Sequence, residues 1–201
     1  MTGVQTCALP ISPLAQLVVS SADAFLATPV PLLFDTTGSK LIGHLAKPND
    51  VGRFALKEPD GVPCIAMFTG ASGYVSPSAY PSKQEHGKVV PTWNYETVHV
   101  HGRLLVHPDA ERTLAAVRAL TGVFETDRPE PWADTDAPAD YIDSLLKVIV
   151  AIEISIDRID AKQKLSQNRP PADQQGVLAD LSQRGPAAAG LRDQMTVALD
   201  Q

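Results

Sequence analysis

Short apolar runs separated by polar turns dominate the first part of this 201-residue chain. Residues 14–20, 25–34, 40–46 and 62–68 have the length and composition of β-strands. Neighbouring runs lack the long helical crossovers that parallel strands require. The pattern therefore predicts an α+β protein, mainly β, whose antiparallel strands form a closed or nearly closed barrel.

Two later runs alternate apolar with polar residues, which is typical of strands with one buried face. They span residues 97–106 and 149–159, and the second is the clearest strand in the sequence. Pro29 and Pro31 cannot donate a hydrogen bond to a neighbouring strand. We therefore expect their strand to be bulged or to lie at a sheet edge.

Helical spacing is clearest over residues 109–120, where Asp109 predicts the N-cap and Gly122 the end of the helix. A second helix is predicted to start near residue 138. Its Tyr141 and Leu145 lie four residues apart, so we expect both side chains in the core.

The two ends of the chain differ from its middle. Residues 1–12 show no clear period and no cationic start of a secretory signal, so we interpret them as a non-native leader. Residues 13–170 carry the strands and are predicted to form one domain. Residues 171–201 have helical spacing with a break at Gly185-Pro186, which predicts a C-terminal helical extension.

Charge and cysteine content restrict the function. Lys and Arg total 17 against 23 Asp and Glu, a net charge of −6, whereas a general nucleic-acid binder needs a basic face. No apolar run reaches the roughly 20 residues that cross a membrane. Cys7 and Cys64 are the only cysteines, which indicates a reducing compartment without a disulfide framework. We predict a soluble cytoplasmic protein.

Residues 74–102 concentrate aromatic, lysine, histidine and hydroxyl side chains between two strand-like runs. Loops held by a rigid scaffold are where proteins usually bind ligands. The segment is therefore our candidate binding region, and the alternative is an ordinary hairpin whose Tyr and Trp side chains fill the core.

Metal and nucleophilic chemistry have weaker support in the sequence. His99 and His101 lie on one face of a strand, with His107 further along, but no nearby cysteine completes a ligand set. The strained elbow of a Ser–His–Asp site is also missing. We therefore expect no metal site and assign no catalytic residue.

Three strings, VSPSAYPSK, GKVVPTWNYETVHVHG and KLSQNRPPADQQGV, resemble the PaiB-type family of FMN-binding negative transcriptional regulators. The upstream strings ATPVPLLFD and GHLAK add to the similarity, which runs from about residue 13 to residue 177. The resemblance implies a split antiparallel β-barrel of the pyridoxamine-phosphate-oxidase kind with peripheral helices. It also implies a homodimer with FMN at the subunit interface.

FMN needs cations and donors for its phosphate and an apolar, partly aromatic slot for its ring. We expect the phosphate to be bound by hydroxyls and lysines, namely Ser76, Ser78, Lys83 and Lys88. Tyr80 and Trp93 are candidates for the ring slot, and Thr92 and Asn94 for its polar edge. Further candidates come from other elements: His44, Lys47, Lys164 and Arg169.

The leading hypothesis is an FMN-binding homodimer of the regulator family, with direct DNA binding not supported by the charge. One alternative is a small FMN-dependent oxidoreductase that uses NADH or NADPH. Another is a haem-binding protein on the same barrel, with His44, His99 or His101 as the axial ligand.

Overall fold

The computed structural model describes residues 12–21, 23–35, 37 and 39–200. The leader predicted at residues 1–12 therefore lies outside the described residues, except for Ser12. The strands are β1 (Leu14–Ser20), β2 (Phe25–Pro31), β3 (Leu33–Phe34), β4 (Lys40–Ala46), β5 (Val62–Val75), β6 (Thr92–His107) and β7 (Ile149–Lys164). The α-helices are α1 (Asp50–Ala55), α2 (Ser82–His86), α3 (Ala110–Glu125), α4 (Ala139–Leu146), α5 (Pro171–Gln183) and α6 (Ala189–Leu199). Short 3-10 turns occur at Pro77–Ala79, Asp134–Asp136 and Pro186–Ala188.

The strands form one sheet in the order β2-β1-β5-β6-β7-β4-β3. The pairs β1–β2, β1–β5, β3–β4 and β4–β7 are antiparallel. The strand that contains Pro29 and Pro31 is β2, and it lies at one end of this order. The predicted edge position is therefore confirmed, and an edge tolerates a residue without an N–H group.

Burial alternates along β6 as the sequence predicts. Val98, Val100 and Leu104 are fully buried, while His99 and His101 lie on the half-exposed face. The strand begins at Thr92, five residues before the predicted start, so the same alternation extends back into the candidate binding region.

The chain divides into two compact units. Among the described residues, the strand unit comprises those within 12–68 and 99–160, and the helical unit comprises residues 69–98 and 161–200. The long strands β5, β6 and β7 contribute residues to both units.

The core of the helical unit forms where α5 and α6 meet the end of β5 and the turn that follows it. Its buried side chains include Val75, Tyr80, Val177, Leu191 and Met195. The predicted C-terminal helices are therefore present, and the 3-10 turn at Pro186–Ala188 separates them at the predicted break.

In the strand unit, the Asp109 side chain accepts a hydrogen bond of 2.8 Å from the Arg112 amide, which confirms the predicted N-cap of α3. The predicted end at Gly122 is wrong, because α3 continues to Glu125. Gly122 is not among the glycines with positive φ, so it does not form the left-handed cap that ends many helices.

The prediction that Tyr141 and Leu145 lie in the core is wrong. Helix α4 forms where expected, but these side chains are 55% and 40% exposed. Apolar spacing identifies one face of a helix, yet it does not show whether another element covers that face. Within the described residues, no helix is both long enough and apolar enough to span a membrane.

Candidate functional site

Most of the residues predicted to bind a cofactor lie in the helical unit. They are Ser76, Ser78, Tyr80, Lys83, Lys88, Thr92, Trp93, Asn94, Lys164 and Arg169. His44 and Lys47 belong to the strand unit. The helical unit is described first, and the two residues of the strand unit follow separately.

The chain between β5 and α2 folds back on itself. The Ser76 hydroxyl accepts a hydrogen bond of 3.2 Å from the Ser78 amide and caps the 3-10 turn, whose first residue is Pro77. Lys83 Nζ donates to Ser78 Oγ over 3.1 Å. Ser78 and Lys83 are both exposed. A cation and a hydroxyl therefore stand side by side, accessible to an anionic group.

A buried carboxylate holds this segment against α5. Asp173 is 1% exposed, and it accepts hydrogen bonds from the Ser82 amide (3.1 Å) and the Ser82 hydroxyl (2.7 Å). Gly176 lies one turn further along α5, and a Cβ there would meet the Ala79 carbonyl oxygen at 2.0 Å. The backbones of the turn and of α5 therefore pack directly against each other.

Tyr80 lies in the core rather than in an open slot. Its side chain is 2% exposed, and Arg169 Cζ lies 4.6 Å from the centre of its ring. This geometry is a cation–π contact. The Tyr80 hydroxyl is buried and has no hydrogen-bond partner among the residues that the structure describes.

The loop that carries Arg169 is shaped by buried polar contacts. Asn94 is fully buried and its amide donates to the Ser166 hydroxyl over 2.9 Å. Ser166 has a φ of 67°, a left-handed conformation that serine rarely adopts. The Gln174 amide donates to the Arg169 carbonyl over 2.9 Å. Asn94 thus anchors the loop, and its role at the flavin edge stays a prediction.

Sequence reasoning missed Ser166, Asp173 and Gln174 as residues that shape this region. They fall within the string KLSQNRPPADQQGV. The partners of Ser166 and Asp173 are Asn94 and Ser82, which lie far away in the chain, so local spacing carried no sign of these contacts. Gln174 bonds to nearby carbonyls, but only the folded loop brings them within its reach.

The burial of Asn94 could have been predicted from the sequence, because Asn94 is an even number of residues from Val98 and Val100 and therefore faces the same side of β6. Extending that alternation back to residue 92 predicts an inward-facing Asn94.

Exposed aromatic and cationic side chains lie on β5, β6 and β7 and on the loop that precedes β6. Trp93 is 52% exposed and contacts Tyr74, which is 44% exposed, edge to face with ring centres 6.4 Å apart. Lys164 Nζ donates to the hydroxyl of Thr92. Lys88 is exposed, and its backbone amide donates to His86 Nδ1. The helical unit therefore presents an aromatic pair and several lysines to solvent.

The two predicted residues of the strand unit have different surroundings. His44 Nδ1 is buried without a partner among the described residues, and burial lowers the pKa of the imidazole, which favours its neutral form. Lys47 Nζ donates to the Lys147 carbonyl over 2.7 Å. Among the described residues there is no group of three or more His, Cys, Asp or Glu side chains placed to hold a metal ion.

We expect Tyr80→Phe to raise the free energy of unfolding by up to about 1 kcal/mol, because it removes a buried hydroxyl that has no partner. Urea unfolding measures the change. Tyr141→Phe is the control, since its hydroxyl belongs to an exposed side chain and its loss should leave stability unchanged. The FMN affinity of Tyr80→Phe should equal that of the unmodified protein. Weaker FMN binding by Tyr80→Phe would show instead that the hydroxyl reaches the cofactor.

Comparison with known proteins places this geometry in context. A family model described as "Putative FMN-binding domain" matches residues 8–158. An uncharacterized protein from Emericella nidulans is 32% identical in an alignment 209 positions long, which covers 91% of this chain and 82% of the relative. The protein named protease synthase and sporulation protein PAI 2 from Bacillus subtilis is 30% identical over 158 residues, 78% of this chain and 72% of the relative.

Solved structures with the same fold are more distant in sequence. An FAD- and haem-binding protein from Mycobacterium smegmatis has a TM-score of 0.51 and 17% identity, and the match covers 77% of this chain. The flavocytochrome Anf3 from Azotobacter vinelandii has a TM-score of 0.55 and 16% identity, covering 80% of this chain. The matches span only 66% and 65% of those two proteins, just under two thirds. The likeness shows the predicted fold, a split antiparallel β-barrel of the α+β class.

Proposed function

Because this chain belongs to the FMN-binding domain family that matches residues 8–158, we propose that it binds FMN through the exposed cations and hydroxyls of its helical unit. The main support within the structure is the pairing of Lys83 with Ser78. Their segment is held by Ser76 at the 3-10 turn and by Asp173 from α5. A site whose side chains are already positioned loses less entropy when it binds a ligand.

The donor set fits the phosphate group. Lys83 and Ser78 offer a cation and a hydroxyl 3.1 Å apart, and Lys164 and Thr92 form a second such pair. Arg169 adds a guanidinium, whose planar fork matches two phosphate oxygens. We propose these side chains as the phosphate ligands, with Lys88 and Ser76 beside them.

The isoalloxazine ring needs an apolar wall and a polar edge. Trp93 and Tyr74 are the exposed aromatic side chains of the helical unit, so we propose Trp93 as the ring contact and Tyr74 as its support. Tyr80 and Asn94 are buried. We propose that they do not contact the flavin and instead hold Arg169 and its loop in place. When bound, the flavin supplies one- and two-electron transfer chemistry.

A homodimer would complete the site. Trp93, Ser78 and the three proposed lysines are exposed, while Ser76, Thr92 and Arg169 are half-buried. None of these residues lines the cavities of about 140 and 340 Å³ within the strand unit. Ring binding by an open surface is weak, because affinity comes from burying most of the ligand. The proposal therefore places the second wall of the flavin slot on a partner subunit, as the family resemblance implies.

The wider role that we propose is that of a cytoplasmic regulator like the PaiB-type proteins. Its support is the 30% identity to the Bacillus subtilis sporulation protein over 78% of this chain. The net charge of −6 does not favour direct DNA binding. We therefore propose regulation through the flavin or through a partner protein.

Haem binding is the second candidate, and His44 is the residue that favours it. Burial lowers the pKa of its imidazole and so favours the neutral form, which is the form that ligates a metal. Two proteins of the same fold are a haem-binding protein and a flavocytochrome. An absorption spectrum separates the candidates, because haem gives an intense band near ~400 nm and flavin gives bands near ~370 and ~450 nm.

We expect FMN to bind with micromolar affinity and Lys83→Gln to raise the dissociation constant about tenfold, because a charge-assisted contact to the phosphate is lost. Riboflavin lacks the phosphate, so its affinity should not respond to this substitution. Fluorescence titration with both flavins measures the two effects. Lys57→Gln is the control, because Lys57 is an exposed lysine of the strand unit.

Two results would contradict the proposal. If neither flavin binds to the unmodified protein, the flavin assignment is wrong. If Lys83→Gln weakens FMN and riboflavin equally, Lys83 is not a phosphate ligand, and the substitution acts through the structure of the segment.

A further inference from the structure

A second group of charged side chains lines a cavity of about 340 Å³ in the strand unit. The cavity lies between α3 and the strands β4 and β7, and none of the residues proposed to bind FMN lines it. Its size is at the lower end of the range of ligand-binding pockets.

The inner wall of this cavity is apolar. Ala116 on α3 is 6% exposed, and Ala151 and Ile152 on β7 are 4% and 1% exposed. Ile42 on β4 completes the wall. The short side chains of the alanines leave the space between the helix and the strands unfilled, so an apolar ligand body can contact the wall.

The rim of the cavity is a connected row of polar groups. Lys40 Nζ lies 2.5 Å from Glu153 Oε1, and Glu153 Oε2 lies 3.9 Å from His107 Nε2. Arg112 Nη1 lies 2.8 Å from His107 Nδ1. A guanidinium can only donate, so Nδ1 is the acceptor and the neutral His107 carries its proton on Nε2, towards Glu153.

Arg112 is the lining residue with hydrogen-bond donors left for a ligand. The guanidinium has five N–H donors. Asp109 Oδ2 lies 3.8 Å from its Nε, which is an ion pair beyond hydrogen-bond distance. Apart from the bond to His107, the Arg112 side chain makes no hydrogen bond to any residue that the structure describes. Its fork is therefore available to two oxygens of one carboxylate.

We propose that this cavity binds a small organic acid, with its carboxylate on Arg112 and its apolar body against Ile42, Ala116 and Ile152. The charges select an acid, because Lys40 and Arg112 are two cations and Glu153 is the single carboxylate among the lining residues. Glu153 is already paired with Lys40. Arg112 is therefore the lining cation without a lining carboxylate beside it, because its ion-pair partner Asp109 does not line the cavity. This site is independent of the proposed flavin site.

The test uses para-fluorobenzoate as the probe and the neutral para-fluorobenzyl alcohol as its matched control, observed by fluorine NMR with the whole chain. We expect the acid to bind with a dissociation constant of about a millimolar or below, as its few heavy atoms allow. The alcohol should bind about tenfold more weakly, because it cannot use the fork of Arg112.

Three variants locate the binding. Arg112→Gln should weaken binding of the acid about tenfold or more, and Arg112→Lys should recover only part of it, because the charge returns without the fork. Ala115→Leu adds an apolar side chain at an exposed position of the lining and should abolish binding by filling the cavity. Arg53→Gln removes an exposed arginine elsewhere in the strand unit and should have no effect. Circular dichroism checks that each variant folds.

Equal binding of the acid and the alcohol would overturn the proposal, as would full affinity in folded Arg112→Gln or Ala115→Leu. Failure of the acid to bind the unmodified protein would overturn it too. The titrations are repeated with saturating FMN, and displacement of the acid by FMN would show that the cavity is part of the flavin site. A protein that binds the acid but no flavin would support this inference while contradicting the proposed function.

Discussion

Gly176→Ala is expected to lower the free energy of unfolding by about 3 kcal/mol, at the upper end of the cost of overpacking. The added Cβ would stand 2.0 Å from the Ala79 carbonyl oxygen and 2.9 Å from Pro81 Cδ. The first of these contacts is with backbone, so no side-chain rotation relieves it. The turn at Pro77–Ala79 and α5 must move apart, and the core around Tyr80 opens with them.

Gly122→Ala is the matched control, because it makes the same substitution inside another helix. A Cβ at Gly122 has no heavy atom within 4 Å, and the residue lies within α3. The free energy of unfolding of this variant should rise by about 0.5–1 kcal/mol, since alanine loses less conformational entropy than glycine on entering a helix. Urea unfolding should therefore show midpoint shifts of opposite sign. A stabilised Gly176→Ala would contradict the close packing of α5 against the turn.

Gly176→Ala should also weaken FMN binding, if the proposed site is correct. Ser78 and Lys83 flank the segment that must shift, whereas no FMN ligand is proposed on α3. We expect Gly122→Ala to bind FMN like the unmodified protein. The FMN titrations are made without urea, so that each variant is folded. Equal FMN affinity in both variants would separate the flavin site from this turn.

Asp173→Ala is expected to lower the free energy of unfolding by about 3 kcal/mol. The carboxylate accepts two hydrogen bonds from Ser82, and both residues are buried. Truncation leaves the Ser82 amide and hydroxyl without their acceptor, and a buried unsatisfied group costs about 1–3 kcal/mol. Asp173→Asn keeps one amide oxygen as an acceptor, so it should lose less stability than the alanine variant.

Asp180→Ala on the same helix is the control for this prediction. Asp180 forms a surface ion pair with Arg184, four residues along α5, and such pairs contribute about 0.5 kcal/mol or less. A double variant of Ser82 and Asp173 tests the coupling, because the second alanine should cost little once the first has broken the pair. Equal losses in Asp173→Ala and Asp180→Ala would mean that the Ser82 contact adds no stability.

Local patterns predicted much of the fold. The predicted strands 14–20 and 40–46 have the same bounds as β1 and β4, and the edge position of the proline-containing strand is correct. These features depend on the two-residue period of a strand and on the missing N–H of proline, which are visible within a few residues. Helices α1 and α2 were not predicted, because six and five residues are too few to show a helical period.

Short apolar runs predicted an antiparallel barrel, and the family-like strings specified a split barrel. The region from residue 74 to residue 102 was chosen for its density of aromatic, lysine, histidine and hydroxyl side chains, and its role as a binding site stays a prediction. Each of these patterns extends over only a few neighbouring residues, so it can be recognised from the sequence alone. The burial of Tyr80 under Arg169, the Asp173–Ser82 pair and the exposure of Tyr141 depended on the tertiary structure. In the two buried contacts the partners are about ninety residues apart, and in the third an apolar face is left uncovered. Which side chain meets which, and which face meets water, is decided only when distant elements pack.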